Sequence, residues 1–192
     1  MPVFDADNDD FTLTLYNLNY GHDYVINVND TQCDTRNGTQ GGAQDKLQKQ
    51  IFDMIEEAGS GHPGIVLGAA PILYTLYLNH LRFDASNPNF YNRDRFIMSA
   101  GHGSSLLYSI LYFAGYDLSL DDLKAFRRLN SKTPGHPEYR KTPGVEMTTG
   151  PLGQGFATAV GYAIAEKHTE ALINKKEKVI LEMFEIGENN GY

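Results

Sequence analysis

The stretch Phe96-Ile97-Met98-Ser99-Ala100-Gly101-His102-Gly103-Ser104 decides the fold. Three consecutive apolar residues read as a short buried strand, and a helical pattern follows over 106–115. Strand, glycine turn and helix in that order belong to an α/β layer fold. The turn also has a chemical use. Glycine lets backbone approach a ligand closely and take positive φ. The N–H groups and dipole at the start of the next helix face an anion. His102 sits in this turn, placed to help hold a phosphate.

Working outward, Leu47, Ile51, Met54 and Ile55 share a helical spacing that ends at Ala58-Gly59-Ser60-Gly61. A second helix is predicted over 68–81, with Ile72, Leu73, Leu76, Tyr77 and Leu81 apolar, and a loop rich in Asn, Asp and Pro follows over 83–92. Ser119 is a good N-cap for a fourth helix. A long loop with three prolines covers 130–145, and a fifth helix is predicted over 152–168. The expected class is α/β, with helices around a parallel sheet of which few strands are visible.

The chain has 192 residues and a net charge of −8, which argues against nucleic acid as a partner, since phosphate backbones need a basic surface. The charge is uneven. Residues 1–44 hold seven acidic residues against Arg36 alone, a net of −6; residues 45–192 hold 17 acidic and 15 basic. In the acidic piece, Phe11, Leu13 and Leu15 alternate with Thr12, Thr14 and Tyr16, and Tyr24-Val25-Ile26-Asn27-Val28 pairs with them as a β-hairpin. Residues 36–44 read as a flexible linker. No apolar run is long enough for a membrane span. The start lacks the basic and apolar regions of a secretory signal, and the single Cys33 has no internal disulfide partner. These features point to a reducing, cytoplasmic setting. The sequons at Asn29 and Asn37 are therefore discounted.

Three loops set a histidine beside glycine: Ser60-Gly61-His62-Pro63-Gly64, the turn at His102, and Thr133-Pro134-Gly135-His136-Pro137-Glu138. A fourth, Thr148-Thr149-Gly150-Pro151-Leu152-Gly153-Gln154-Gly155, opens the fifth helix. Histidines near neutral pH donate, accept and stabilise oxyanions, which suits a polar, hydroxylated substrate. Taken singly, each loop also reads as an ordinary turn. The histidines lack the spacing of a zinc site, and no Gly-x-Ser-x-Gly elbow marks a serine hydrolase. His80 and His168, on predicted helices, read as structural or exposed, and His22, in the acidic piece, as having no catalytic role.

Taken together, the loops carry a resemblance. Over 51–168 the chain resembles the N-terminal, pyrophosphate-binding domain of transketolase. The resemblance rests on the four loops in order, with Leu67-Gly68-Ala69-Ala70-Pro71, Asn92-Arg93-Asp94-Arg95-Phe96 and Ser131-Lys132 between them. It implies thiamine diphosphate, a divalent Mg or Ca ion, and transfer of a two-carbon ketol unit between sugar phosphates. It also implies a homodimer, or a complementary subunit carrying the rest of the enzyme. Residue by residue, it implies that His62 contacts substrate and supports catalysis, and that His136 lines the substrate channel. His102 would lie near the cofactor's diphosphate, with Gly150, Pro151 and Leu152 against the thiamine rings. The wording of 133–138 and 150–155 favours transketolase over the deoxyxylulose-phosphate synthases; dihydroxyacetone synthase shares these motifs and stays open.

The chain departs from the family pattern in its last part. A Gly-Asp-Gly motif and a later asparagine complete the family's metal site, but here no aspartate follows Asp122, and Glu188-Asn189 stand without the motif. Divalent metals neutralise diphosphates through such oxygen ligands, so weak cofactor affinity is expected, and no metal ligand is assigned. The family's pyrimidine-binding domain is not recognised. The expected division is an acidic extension and linker over 1–44, a transketolase-like portion over 45–168 and a divergent tail over 169–192. Two readings stand: a transketolase piece catalytic only within a larger or split enzyme, or an inactive truncated fragment acting at most as a binding or interaction module. With only part of the sheet present, exposed apolar edges are expected, with oligomerisation or poor solubility as the result.

Overall fold

The computed structural model describes residues 12–16, 23–27, 40–173 and 185–186. Cys33, His22, residues 28–39 and the tail residues Glu188 and Asn189 lie outside the described residues. Strands β1 (Thr12–Tyr16) and β2 (Asp23–Asn27) pair antiparallel, Thr12 opposite Asn27 and Tyr16 opposite Asp23, which is the hairpin the alternation predicts.

The rest of the described chain is mostly helical. Helix α1 (Gln40–Ala58) buries Leu47, Ile51 and Met54, spaced to form one stripe. It starts inside the stretch read as linker, so helical backbone runs back through Gly41 and Gly42 despite their poor propensity. Helix α2 (Pro63–Asn79) also starts earlier than the predicted 68–81. Pro63 occupies its first turn, where a missing N–H costs nothing. Pro71 then falls inside the helix, at the cost of one backbone hydrogen bond. Burial of Val66, Ala70, Leu73 and Leu76 along one face holds the helix together across it.

Strand β3 (Ile97–Met98) is buried and leads through a single 3-10 turn, Gly101–Gly103, into helix α3 (Ser104–Phe113). Helix α3 is the centre of the body: Ser104 through Leu111 are all buried, and α1 and α2 pack on it. Helix α4 (Leu120–Lys124) follows, and helix α5 (Gln154–Ile173) packs against β3. Strand β4 (Glu185–Ile186) pairs parallel to β3, with Ile97 opposite Glu185 and Met98 opposite Ile186. The α/β class stands, but among the described residues the parallel sheet has two strands and most of the mass is helix. Only Gly155 and Ala159 of α5 are buried; Phe156, Val160 and Ile164 form an exposed apolar line. No helix among the described residues is long and apolar enough to cross a membrane.

Between α4 and α5 the chain has no regular structure, yet it is firmly tied. The Arg127 N–H donates to Thr133 O, the Thr133 hydroxyl to Asp122 O, and the Thr142 hydroxyl to Lys132 O. Gly144 has φ +84°, and a Cβ there would lie 2.7 Å from both Leu111 and Tyr116, so glycine is required on both counts. Glu146 is buried against a two-pronged Arg93, at 2.6 Å (Nε to Oε1) and 2.9 Å (Nη2 to Oε2), with Arg95 adding a third contact at 3.2 Å. This pair pins the loop that precedes the fifth helix to the segment that precedes β3.

The Arg93 pair and the cap of α4 are each open to a direct stability test. Arg93→Ala leaves a buried carboxylate short of its main partner and is expected to cost about 3 kcal/mol, read as a lower urea midpoint. Ser119 caps α4 through a reciprocal box, its hydroxyl accepting from the Asp122 N–H while the Asp122 carboxylate accepts from Ser119. Ser119→Ala is expected to cost about 1 kcal/mol at neutral pH. Burial raises the Asp122 pKa, but the Ser119 N–H and hydroxyl and then Lys132 outweigh it, leaving the carboxyl below its ordinary range. Its contribution is complete above the ordinary carboxylate range and is lost as pH falls through the lowered value. Parallel urea titrations of wild type and Asp122→Asn should therefore converge in acid.

Candidate functional site

All four glycine-rich loops meet at one place. His62 is the residue immediately before α2, with φ −124° and ψ 77°, and its side chain does not cap that helix. His102 lies in the 3-10 turn ahead of α3. Their rings stand edge to face with centroids 5.1 Å apart. The loop of Gly101 meets the fourth loop directly: a Cβ on Gly101 would lie 2.8 Å from Gly150 N and Thr149 C. His136 borders the same loop, its Cδ2 3.6 Å from where a Gly150 Cβ would sit. Pro151 and Leu152 follow with exposed side chains, Leu152 at 60%. His62 and His136 are exposed, and His102 is half-buried.

Buried hydroxyls on α3 set the third loop in place. Ser104 Oγ donates to Gly135 O at 2.7 Å. Tyr108, one turn later on the same helix face, shares its hydroxyl proton between Pro134 O at 2.9 Å and His136 O at 3.0 Å. Burial pushes the Tyr108 phenol well above its ordinary pKa, so it stays a donor. The Thr149 N–H donates to Pro137 O, joining the third loop to the fourth. The fourth loop is fixed in turn at α5, where the Phe156 N–H donates to Ser99 Oγ and a Cβ on Gly155 would come within 2.6 Å of Ser99 Cα.

The sequence reading missed two functional elements. Arg127 reaches the histidines from the loop after α4: Nη1 donates to Ser60 Oγ at 3.1 Å and Nη2 lies 3.3 Å from His62 Nδ1. No spacing in Phe126-Arg127-Arg128 announces this, because the contact spans 65 residues of sequence. The Ser104–Tyr108 pair had a signal: hydroxyls four residues apart, and so on one face, of a predicted helix.

The site is cationic. Partial desolvation first, then the charges of His102, Arg127 and His136, hold the His62 pKa below its ordinary value. Among the described residues no carboxylate forms an ion pair with Arg127. Its Nε and the Thr149 hydroxyl are buried without a hydrogen-bond partner among those residues. Donors with unspent hydrogen bonds beside two helix starts fit an anionic, phosphorylated ligand such as a diphosphate. Among the described residues no group of three His, Cys, Asp or Glu side chains is placed to hold a metal.

Comparison with known proteins agrees with this geometry. Residues 43–186 match the family described as transketolase, thiamine diphosphate binding domain. The chain is 63% identical over 124 residues to the transketolase of Geobacillus stearothermophilus, covering 65% of this chain and 19% of that one. It is 58% identical over 132 residues to the transketolase of Aquifex aeolicus, covering 69% and 19%. Among solved structures, a transketolase from Leishmania mexicana superposes with a TM-score of 0.69 at 45% identity, over 74% of this chain and 22% of that one. The Pichia stipitis transketolase in complex with sedoheptulose 7-phosphate gives 0.68 at 47% identity, over 70% and 20%. The chain thus spans about a fifth of the length of these relatives. Within that fifth, the family match takes in all four loops that converge on His62, His102, His136 and Gly150, and the chain belongs to the transketolase family through its thiamine diphosphate binding domain.

Proposed function

We propose that this chain supplies the diphosphate-binding side of a transketolase site, which transfers a two-carbon ketol unit between sugar phosphates. It would act with a second copy or a complementary subunit that carries the rest of the enzyme, in the cytoplasm. The observation that carries this is the chain of contacts that joins the four loops: Arg127 to His62, His62 to His102, the turn of His102 to the Gly150 loop, and His136 beside Gly150. His102 and the N–H groups at the start of α3 hold the diphosphate. Gly150 and the exposed Pro151 and Leu152 offer a small, apolar surface to the thiamine rings. His62 and His136 face outward, to bind the oxygens of the sugar and stabilise charge on them. When bound, thiamine diphosphate supplies the nucleophilic carbon that breaks and remakes the carbon–carbon bond. Arg127 adds positive charge beside His62, where phosphorylated ligands gain most. Any divalent ion that accompanies the diphosphate takes its ligands from outside the described cluster.

The test is a calorimetric titration of thiamine diphosphate with Mg²⁺ into the purified chain, with and without a candidate partner subunit, followed by a ketol-transfer assay. Saturable binding, with transfer appearing once the partner is present, supports the proposal. Absence of binding in every combination overturns it. His102→Ala is expected to weaken binding by about tenfold or more, ~1.4 kcal/mol. Gly101→Ala forces the turn that carries His102 away from Thr149 and Gly150 and is expected to weaken binding at least as much, with the far-ultraviolet dichroism of the helical body retained.

A further inference from the structure

We propose that Arg127 is a positioning residue for His62: its guanidinium donates to His62 Nδ1 and locks the imidazole in the tautomer that carries its proton on Nε2. A guanidinium has only donors and does not deprotonate in proteins. An imidazole nitrogen 3.3 Å from Nη2 must therefore accept, and the remaining nitrogen of a neutral ring must hold the proton. The second prong of the fork, on Ser60 Oγ at 3.1 Å, grips the same loop two residues earlier, so the ring and its backbone are held together.

Arg127 is itself over-determined. Its backbone N–H donates to Thr133 O at 2.9 Å. Its guanidinium lies over the Phe126 ring, 5.3 Å from the centroid, and its stem rests 3.6 Å from where a Gly135 Cβ would sit. Its φ of +62° is left-handed, a conformation that costs a non-glycine residue about 1 kcal/mol. Such strain persists where surrounding contacts fix a side chain's direction. The groups whose charges act on His62 are Arg127 from the loop after α4, His102 from the turn before α3, and His136 from the long loop, and all favour the neutral ring.

The consequence for chemistry is specific. With the Nδ1 lone pair engaged and Nε2 protonated, His62 serves the site as a hydrogen-bond donor to substrate oxygens and not as a general base. That consequence rests on the functional reading of the site; the tautomer does not, and is measured on the chain alone.

The experiment uses the full chain with ¹⁵N-labelled histidine. Long-range ¹H–¹⁵N spectra across pH read both ring nitrogens, and His62→Gln assigns the signals. In wild type, His62 is expected with Nε2 protonated, Nδ1 at a hydrogen-bonded acceptor position, and a titration midpoint below that of free histidine. In Arg127→Met, Nδ1 should move to the free acceptor position and the midpoint should rise. A wild-type Nδ1 that is protonated or free overturns the proposal, as does an Arg127→Met spectrum identical to wild type. Should Arg127→Met fail to fold, the wild-type Nδ1 position decides alone. No cofactor is added, so a failed thiamine diphosphate titration leaves this result standing, and a failed tautomer leaves that titration unaffected.

Discussion

The structure depends on two backbone approaches that admit no side chain. A Cβ on Gly101 would meet the peptide joining Thr149 to Gly150 at 2.8 Å, and a Cβ on Gly155 would meet Ser99 Cα at 2.6 Å. Neither obstacle is the end of a flexible side chain, so neither can swing aside. These contacts clamp the start of α5 and its preceding loop against the end of β3 and the turn that carries His102. Segments some fifty residues apart in sequence are thereby brought within van der Waals distance, and His136 is held at the seam by Tyr108, with Ser104 on the neighbouring Gly135 carbonyl. Loop closure over such a length costs entropy, which burial in the apolar body around α3 offsets.

Two arginines show how the same charge is used in opposite ways. Arg93 is engaged at all three nitrogens: Nε and Nη2 donate to Glu146 and Nη1 to Phe90 O, in a buried setting where an unpaired ion would be costly. Arg127 keeps its charge without a carboxylate among the described residues, leaves Nε unsatisfied, and leans on a neutral histidine and a serine. Unspent donors beside half-buried and exposed histidines are what a site for anionic ligands requires.

Much of this was legible in the sequence because it is local. The buried run Phe96-Ile97-Met98, the glycine turn after it and the cap at Ser119 all act within a few residues, and all appear where the pattern puts them. The histidines were legible through their glycine neighbours, and their order along the chain carried the family resemblance. Helix starts were less so: Pro63 reads as a turn residue until it is seen to open α2, and Gly41 and Gly42 read as linker though helix α1 runs through them. Arg127 was not legible at all. Its role comes from a left-handed backbone angle and a contact made across 65 residues, neither of which leaves a periodic trace.

The site side chains and the fold draw on different parts of the same residues. His136 is held through its carbonyl, which accepts from Tyr108, while its ring stays outside the core. His62 is held by its place before α2 and by Arg127, while its own side chain gives that helix no capping bond. His102 sits in a turn closed by backbone bonds from Gly101 to Ser99 and from Gly103 to Ala100. In each case the anchor is main chain, or a residue other than the histidine, and the anchors converge on α3, the most buried helix of the body. The most buried helix of the body thus sets where the three loops carry their rings, and the packing around it makes those positions firm.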